Sequence, residues 1–375
     1  MPSWDVKFDR LVRLDDIEVI RTIAEAEVVA KFIRGMPLRP SVQARLDRLN
    51  IMRAVRGTTG IEGADLDEDE VERVLASPPD ERVLPVAKAR EEQEARNAGA
   101  VMRFVAQTLG TDRTQTLTAP FVRELHRLTT EGIDYPNNVP GEYRTHAVSA
   151  GTYVPPRSGD EVRRLMEEFV SWLNEPPATK WPPIVRALAA HFYFISIHPF
   201  GDGNGRTARA IESYLLYQAG VNVLGFYSLA NFYYRRRGEY EQMLDLCRFS
   251  DARDLTPFIL FAATGLTEEL DAVHEEVIAE ATRTAFREYA RETILGAGGV
   301  SASVRARLAQ FLHELEGELD EREFLSKRDP LARFHGNASR KTMTRDLDRL
   351  ERLGLISREN GAIRPRLDAM EQFKR

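Results

Sequence analysis

The chain has 375 residues, of which 43% are hydrophobic, so it can bury a large core and is long enough for two or three domains. No apolar run approaches the ~20 residues that cross a bilayer, and the charged start does not resemble a signal peptide, so we expect a cytoplasmic protein without membrane contacts. The single cysteine, Cys247, excludes an intrachain disulfide and a cysteine-based metal site.

Apolar residues recur at helical spacing over most of the chain and predict a mainly α-helical fold. Before residue 295 we predict helices at 15–33, 41–55, 85–109, 118–129, 162–173, 184–197, 207–219, 256–266 and 270–294. One stretch differs, because Val148 and Tyr153 flank Ala150-Gly151 and predict a short two-stranded hairpin. The simpler alternative is a surface loop closed by the two prolines that follow.

The strongest signal is the run from His198 to Arg209, His-Pro-Phe-Gly-Asp-Gly-Asn-Gly-Arg-Thr-Ala-Arg. Pro199 disfavours helical geometry at His198, so the preceding helix should end there, and three glycines permit a tight turn. The next helix begins at once, so its unpaired N–H groups and the positive end of its dipole point into the turn. The turn is therefore predicted to bind a phosphate, although it is neither a P-loop nor a Rossmann turn.

Side chains around this turn have the chemistry that phosphates need. Arg206 and Arg209 lie three residues apart on one helical face and can both reach a polyphosphate. Asp202 offers a hard oxygen ligand for a phosphate-bound magnesium ion, and the Asn204 amide can donate to a phosphate oxygen. His198 adds a titratable group at the rim. Each residue alone is weak evidence, but the set at fixed spacing favours a phosphate site.

The pattern changes after the glycine-rich stretch 296–299, which we interpret as a linker. We predict helices at 304–315, at 321–328 and from Ser339 onward, and then a hairpin around Glu359-Asn360-Gly361. Three helices followed by a hairpin resemble a winged helix-turn-helix.

The third helix of such a module can recognise DNA. However, residues 301–375 carry 16 basic and 13 acidic side chains, a net of only +3, which leaves −9 for the rest of a chain whose total is −6. In addition, Asp346, Asp348 and Glu351 lie on the helix in question. DNA stays open as a partner, and contact with protein or with a second copy is the stronger expectation.

The run from His198 to Arg209 matches the Fic-domain signature, His-Pro-Phe-x-(Asp/Glu)-Gly-Asn-Gly-Arg-x-x-Arg, at every defined position. The chain therefore resembles the Fic family. The resemblance implies a mainly α fold, namely a Fic-type helical bundle with a small β-hairpin flap at residues 146–154 and a C-terminal winged-helix-like domain. The implied division is 1–110 for an N-terminal helical region with an inhibitory motif, 111–295 for the catalytic core and 300–375 for the last domain.

The resemblance also implies a role for each residue of the run. In Fic proteins the histidine, here His198, is the general base, and the acidic residue, here Asp202, holds magnesium. Arg209 would grip the terminal phosphates and Tyr240 would pack on the adenine. The residues implied to hold the nucleotide are Gly203, Asn204, Gly205, Arg206, Arg209 and Tyr240.

A shorter pattern lies nearer the N-terminus. Thr58-x-x-x-Glu62-Gly63 matches the inhibitory Ser/Thr-x-x-x-Glu-Gly/Asn motif of many Fic proteins. We expect Glu62 on a short helix, with Thr58 or Thr59 near its N-cap, and paired with Arg209 as a carboxylate pairs with a guanidinium. The simpler alternative is a solvated helix glutamate.

The activity that the resemblance implies is transfer of AMP from Mg-ATP to a Ser, Thr or Tyr hydroxyl of a protein presented to the flap, with Glu62 as inhibitor. Two alternatives stay open: a Fic enzyme that uses another nucleotide or removes AMP, and an ATP-sensing transcriptional regulator that acts through the C-terminal domain. Self-modification and a homodimer are compatible with the pattern. The sequence identifies neither the target protein, nor the physiological nucleotide, nor the oligomeric state.

Overall fold

The computed structural model describes residues 5–111, 115–151, 153–221 and 229–373 of the chain. The chain divides into two compact units, residues 1–274 and 275–375. Helices make up most of the described residues, and the one sheet among them has three short strands, which confirms the mainly α fold. No helix in these ranges is both long and apolar enough to cross a membrane.

The N-terminal unit is built around a central pair of helices. Its helices are, in chain order, α1 (Ile17–Gly35), α2 (Pro40–Ile61), α3 (Glu68–Ala76), α4 (Ala89–Thr111), α5 (Ala119–Thr130), α6 (Gly159–Asn174), α7 (Pro183–Ile197), α8 (Asn204–Gln218), α9 (Ala230–Arg235), α10 (Arg237–Phe249) and α11 (Thr256–Gly296), which continues into the second unit. The central pair is α7 and α8; α2, α4 and α5 pack on α8, and α6 packs on α7. Because α7 is apolar almost throughout, nearly all of its side chains are buried. The turn between α7 and α8 therefore stands on a rigid base.

Helix α2 is longer than the predicted 41–55, since it continues through Gly57 and Gly60 to Ile61. Glycine usually weakens a helix, which is why the pattern suggested an earlier end. Here both glycines are needed for close packing. A Cβ at Gly57 would lie 2.6 Å from the backbone nitrogen of Asn231, and one at Gly60 would lie 2.6 Å from the Tyr234 ring. The glycines therefore let the end of α2 pack directly on α9.

Helix α11 is continuous, so the predicted break between residues 266 and 270 is wrong. Gly265 does not end the helix; a Cβ there would lie 2.2 Å from the Phe232 ring, so this glycine serves close packing against α9. The boundary between the two units falls inside α11, after His274, and not at the expected linker 296–299. The reason is that Phe286, Ala290 and Ile294 of α11 belong to the core of the C-terminal unit.

The flap, residues 146–154, is less regular than the predicted hairpin. Among its described residues the antiparallel pairing consists of one bridge between Ala150 and Tyr153, with N···O distances of 3.2 and 3.1 Å. Gly151 turns the chain with a φ of 54°. The prolines at 155 and 156 have no N–H to donate, so the pairing cannot extend in that direction.

The C-terminal unit combines helices with the small sheet. Its further elements are α12 (Ala302–Glu314), β1 (Leu319–Asp320), α13 (Glu321–Leu325), α14 (Arg340–Arg352), β2 (Ile356–Glu359) and β3 (Ala362–Pro365). The strand order is β1-β3-β2, and all pairs are antiparallel. The predicted hairpin is confirmed, because Asn360 and Gly361 both have positive φ between β2 and β3, as a tight hairpin turn requires. The likeness to a winged helix stays a prediction.

Candidate active site

The turn between α7 and α8 contains two residues with left-handed backbone angles and two glycines that leave no room for a side chain. His198 ends α7 with φ 52° and ψ 58°, and Gly203 precedes α8 with a φ of 71°. A Cβ at Gly203 would lie 2.6 Å from a Thr130 methyl, and one at Gly201 would lie 2.3 Å from the carbonyl oxygen of Asn137. No side chain in the described part of the chain caps the start of α8. The first N–H groups of α8 are therefore available to an anion.

The Asn204 side chain is bonded to the backbone of the turn, whereas the sequence predicted a bond to a phosphate. Its Oδ1 accepts from the Phe200 N–H at 2.9 Å, and its Nδ2 donates to the Phe200 carbonyl at 3.0 Å. The residue is only 2% exposed. The amide thus closes the turn from inside, because a side chain with both ends bonded to the backbone is poorly placed to reach a phosphate as well. Phosphate contacts from this position are left to the backbone.

Arg206 is fixed by acidic and phenolic partners. Its Nη1 donates to the Tyr135 hydroxyl at 2.6 Å and lies 3.3 Å from Glu94 Oε1. Its Nη2 lies 3.2 Å from Asp202 Oδ1. Glu94 and Tyr135 were missed at the level of sequence, because neither belongs to a motif and the fold alone brings them to the site.

Arg209 contacts Thr58 and Glu62, and its pairing with Glu62 is the one that the sequence predicted. Its Nε donates to Thr58 Oγ1 at 2.9 Å, and its Nη2 donates to the Thr58 carbonyl at 3.1 Å. The same Nη2 donates to Glu62 Oε1 at 2.7 Å. The pair is formed through one guanidinium nitrogen rather than two. Arg209 is 2% exposed and the Glu62 side chain is 32% exposed, so this contact lies at the wall of the cleft with its carboxylate towards solvent.

Glu62 follows the last turn of α2, and the expected short helix with a threonine N-cap is not found. Thr58 and Thr59 lie in the final turn of a 22-residue helix. Glu62 Oε1 would be 2.3 Å from a Cβ at Gly205, so the glycine lets the carboxylate approach the start of α8. Burial alone would raise the pKa of Glu62, but the Arg209 and Arg206 guanidinium groups outweigh it and hold the pKa below its usual range. The carboxylate is therefore charged at neutral pH.

His198 presents one ring nitrogen as a base. Its Nδ1 lies 3.3 Å from the Ile195 carbonyl oxygen. A carbonyl only accepts, so Nδ1 carries the proton and Nε2 keeps its lone pair. Burial lowers the pKa of His198 to about 4; the Ile195 carbonyl opposes this shift, and the nearby Arg144 and Arg248 charges add to it. The ring is neutral at physiological pH.

Asp202 is a plausible magnesium ligand by its chemistry. Its Oδ1 accepts from the Gly203 N–H at 2.5 Å, and the side chain is 40% exposed. No three His, Cys, Asp or Glu residues gather into a metal-binding group within the described ranges. Magnesium, however, is usually held by one or two carboxylates, substrate phosphates and water. One exposed carboxylate beside the start of α8 fits that pattern.

Glu62, His198, Gly205 and Arg209 line a cleft of about 220 Å³, and Asp202, Asn204 and Arg206 are not among the residues that line it. Its other wall is one face of α10, which the sequence signalled only by its arginines and aromatics. The residues that line the cleft are Ile61, Glu62, Ala150, Gly151, Tyr153, Ile195, His198, Gly205, Arg209, Arg237, Tyr240, Glu241, Leu244, Asp245 and Arg248. Tyr240 is thus in the wall, but it is 4% exposed and its hydroxyl lies 2.9 Å from His191 Nε2. Its predicted packing on adenine stays a prediction.

The chain resembles known proteins over the part that forms this cleft. Residues 116–216 match the model of the Fic/DOC family. Protein adenylyltransferase Fic from Aedes aegypti is 30% identical over 228 residues, which are 60% of this chain and 42% of that protein. The protein of the same name from Drosophila ananassae is 31% identical over 215 residues, or 57% and 40%. The matched part is thus less than half the length of either relative.

Solved structures agree with this match. Fic-1 (aa134 - 508) from C. elegans superposes with a TM-score of 0.58 at 25% identity, over 71% of this chain and 73% of that one. A Fic family protein from Desulfovibrio desulfuricans G20 shares the fold over 97% of this chain and 98% of its own, with a TM-score of 0.57 at 21% identity. Together with the complete signature, these findings show a Fic domain at residues 116–216 of the chain.

Proposed function

We propose that this protein transfers AMP from ATP to a hydroxyl group of a protein. The observation that carries the proposal is one cleft lined by His198, whose Nε2 keeps a free lone pair, by Gly205 at the uncapped start of α8, and by the buried Arg209. The names of the relatives, protein adenylyltransferase, support the same activity. Ala150 and Gly151 of the flap line the cleft together with His198, which supports delivery of the target segment along residues 146–154.

The reaction follows from where these groups lie. The phosphates of ATP would bind the N–H groups of Gly205 and Arg206 at the start of α8, and Arg209 would hold the terminal phosphates. His198 Nε2 accepts the proton of the target hydroxyl as its oxygen bonds to the α-phosphorus, and pyrophosphate leaves. A well-placed base of this kind contributes on the order of 10²–10⁴-fold to the rate. Asp202 would hold magnesium, which neutralises charge on the phosphates when bound.

Incubation of the protein with ATP and magnesium should transfer label from the α-phosphate to the protein itself or to a protein in a cell extract. His198→Ala should abolish the transfer, because the hydroxyl then keeps its proton. Scintillation counting after gel separation measures the product. Label from the γ-phosphate but not the α-phosphate would mean phosphorylation, and transfer from UTP in preference to ATP would reassign the nucleotide.

We further propose that Glu62 inhibits the transfer. Its Oε1 occupies Arg209 at 2.7 Å and lies against Gly205, where phosphates would bind. With Arg209 engaged, the γ-phosphate loses its partner, and the α-phosphorus binds out of line with the attacking hydroxyl. A misplacement of about 1 Å can cost on the order of 10²-fold in rate.

Glu62→Gly should therefore raise the rate of AMP transfer by on the order of 10²-fold, since Arg209 is released to the nucleotide. Glu68→Gly is the matched control, because Glu68 is exposed and its partner, Arg56, lies outside the cleft. Initial rates at saturating ATP measure both effects. Equal rates for Glu62→Gly and the parent protein, both folded and loaded with ATP, would contradict the proposal that Glu62 inhibits the transfer.

A second candidate function concerns the C-terminal unit, which we propose binds nucleic acid through the start of α14. The acidic residues of this helix are neutralised within the unit. Asp346 is fully buried and bonded to Arg307 and Arg349, while Asp348 and Glu351 pair with Arg358.

The basic side chains at the start of the helix are not neutralised in this way. Arg340, Lys341 and Arg345 are exposed, and no carboxylate of the described residues lies within ion-pair distance of them. The local charge is therefore more positive than the net of +3 suggests, and this observation favours a phosphate backbone over a neutral protein surface.

The full chain should bind a fluorescently labelled DNA duplex at low salt, measured by anisotropy. Replacement of Arg340, Lys341 and Arg345 by glutamine should weaken binding at least about tenfold and flatten its salt dependence, because each lost phosphate contact lowers the salt slope by about 0.9. The matched control replaces the exposed, ion-paired Arg291, Arg364 and Arg366 by glutamine. Equal losses in both triple variants, or no binding at low salt, would contradict the assignment.

A further inference from the structure

Two backbone carbonyls at the end of α7 have lost their helical partners. The carbonyl of Ile195 would normally accept from residue 199, but that residue is a proline and has no N–H. The carbonyl of Ser196 would accept from Phe200, but the Phe200 N–H donates to Asn204 Oδ1 at 2.9 Å. Both residues lie two or three positions before His198, so whatever satisfies these carbonyls also fixes the backbone that carries the base.

Tyr153 of the flap offers its one hydroxyl proton to both carbonyl oxygens, which share it. Its hydroxyl lies 2.7 Å from the Ile195 oxygen and 2.9 Å from the Ser196 oxygen. The ring is 2% exposed and is covered by the Arg248 guanidinium, 4.0 Å from the ring centroid. Arg248 also reaches the same turn of α7 through a 3.2 Å bond from Nε to Ser196 Oγ. The Tyr153 side chain is therefore held in place by Arg248 and by the end of α7, close to His198.

The hydroxyl of Tyr153 and the ring of His198 share an acceptor. His198 Nδ1 lies 3.3 Å from the Ile195 oxygen that Tyr153 also contacts. At the other end of the segment, Arg144 Nε donates to the His198 carbonyl at 2.7 Å, and the Arg144 N–H donates to the Pro199 carbonyl at 3.0 Å. The chain from Arg144 to Tyr153 is thus attached at both ends to the turn that holds the base.

We propose that Tyr153 is a positioning residue, whose hydroxyl holds the end of α7 so that His198 Nε2 faces the cleft. Because Tyr153 belongs to the flap, the position of the flap and the orientation of His198 are coupled. The inference rests on the proposed AMP transfer. Without the hydroxyl, the Ser196 oxygen is left without a donor and the Ile195 oxygen keeps only His198. A buried carbonyl without a donor is unfavourable, so the turn should shift to find one and carry His198 with it.

The test compares Tyr153→Phe with Tyr143→Phe, both in the Glu62→Gly background. The Tyr143 hydroxyl is also buried but has no hydrogen-bond partner within the described part of the chain, so its removal deletes the same atom without a bond. Tyr153→Phe should lower kcat by on the order of 10- to 10²-fold, because a small displacement of a base is costly, and leave KM for ATP within about twofold. Tyr143→Phe should change neither. Equal effects of the two variants, or an unchanged kcat in Tyr153→Phe, would overturn the proposal.

A second measurement is independent of activity. The ring nitrogens of His198 can be followed by ¹⁵N NMR during a pH titration, with His198→Ala to assign the signals. The parent should titrate with a pKa of about 4, and in Tyr153→Phe the pKa should move up towards the ordinary histidine value as water reaches the ring. An unchanged titration would overturn the positioning role. If the titration shifts while the parent transfers no AMP, the proposed function fails and the positioning role stands.

Discussion

The contact between the Glu62 carboxylate and the Arg209 guanidinium is the interaction on which the properties of the cleft depend. Arg209 is 2% exposed, and a guanidinium at that depth is stabilised by an anionic partner, because an unpaired buried charge is costly. Thr58 supplies only neutral acceptors, through its hydroxyl and its carbonyl. Among the described residues, Glu62 is the carboxylate within 4.0 Å of Arg209. In the proposed mechanism a phosphate of ATP replaces the Glu62 carboxylate as the anionic partner of Arg209.

Arg206 is a useful comparison for Arg209, since it lies one helical turn away on α8 and is also buried. Its charge is already compensated by Glu94 and Asp202, and its position is fixed by the Tyr135 hydroxyl. Arg206 can therefore donate to a phosphate without losing its partners, whereas Arg209 must exchange one anion for another. The two arginines of the signature thus differ in their ion-pair partners, and this difference supports the proposal that control acts through Arg209.

The position of Glu62 follows from the packing of α2 on α9. Helix α2 must run unbroken through Gly57 and Gly60 to bring the carboxylate to the start of α8, and it can do so because both glycines admit α9 at close range. The same device recurs at Gly205, where the missing side chain leaves room for the Glu62 oxygen.

Sequence reasoning identified the parts of the site that are local in the chain. The run from His198 to Arg209 contains its own helix ends and glycines, so its turn could be predicted, as could the pairing of Glu62 with Arg209. Partners brought by the fold could not be predicted: Glu94 and Tyr135 belong to no motif. The sequence predicted that the Asn204 amide binds a phosphate. Its bonds to Phe200 could not be predicted, because they form only in the closed turn.

The lengths of α2 and α11 were underestimated for a similar reason. Glycine is normally evidence against a helix, and only tertiary contact with α9 turns Gly57, Gly60 and Gly265 into evidence for close packing. At each of these positions the packing contact with α9 therefore outweighs the low helix propensity of glycine.

The central claim, that Glu62 and the terminal phosphates of ATP compete for Arg209, is tested most directly by calorimetric titration of the parent and Glu62→Gly with ATP and with AMP. AMP lacks the phosphates that Arg209 would hold. The variant should bind ATP at least about tenfold more tightly than the parent, a gain of ~1.4 kcal/mol, while its affinity for AMP changes less than about twofold. An equal gain for both nucleotides, or no gain for ATP, would contradict the claim.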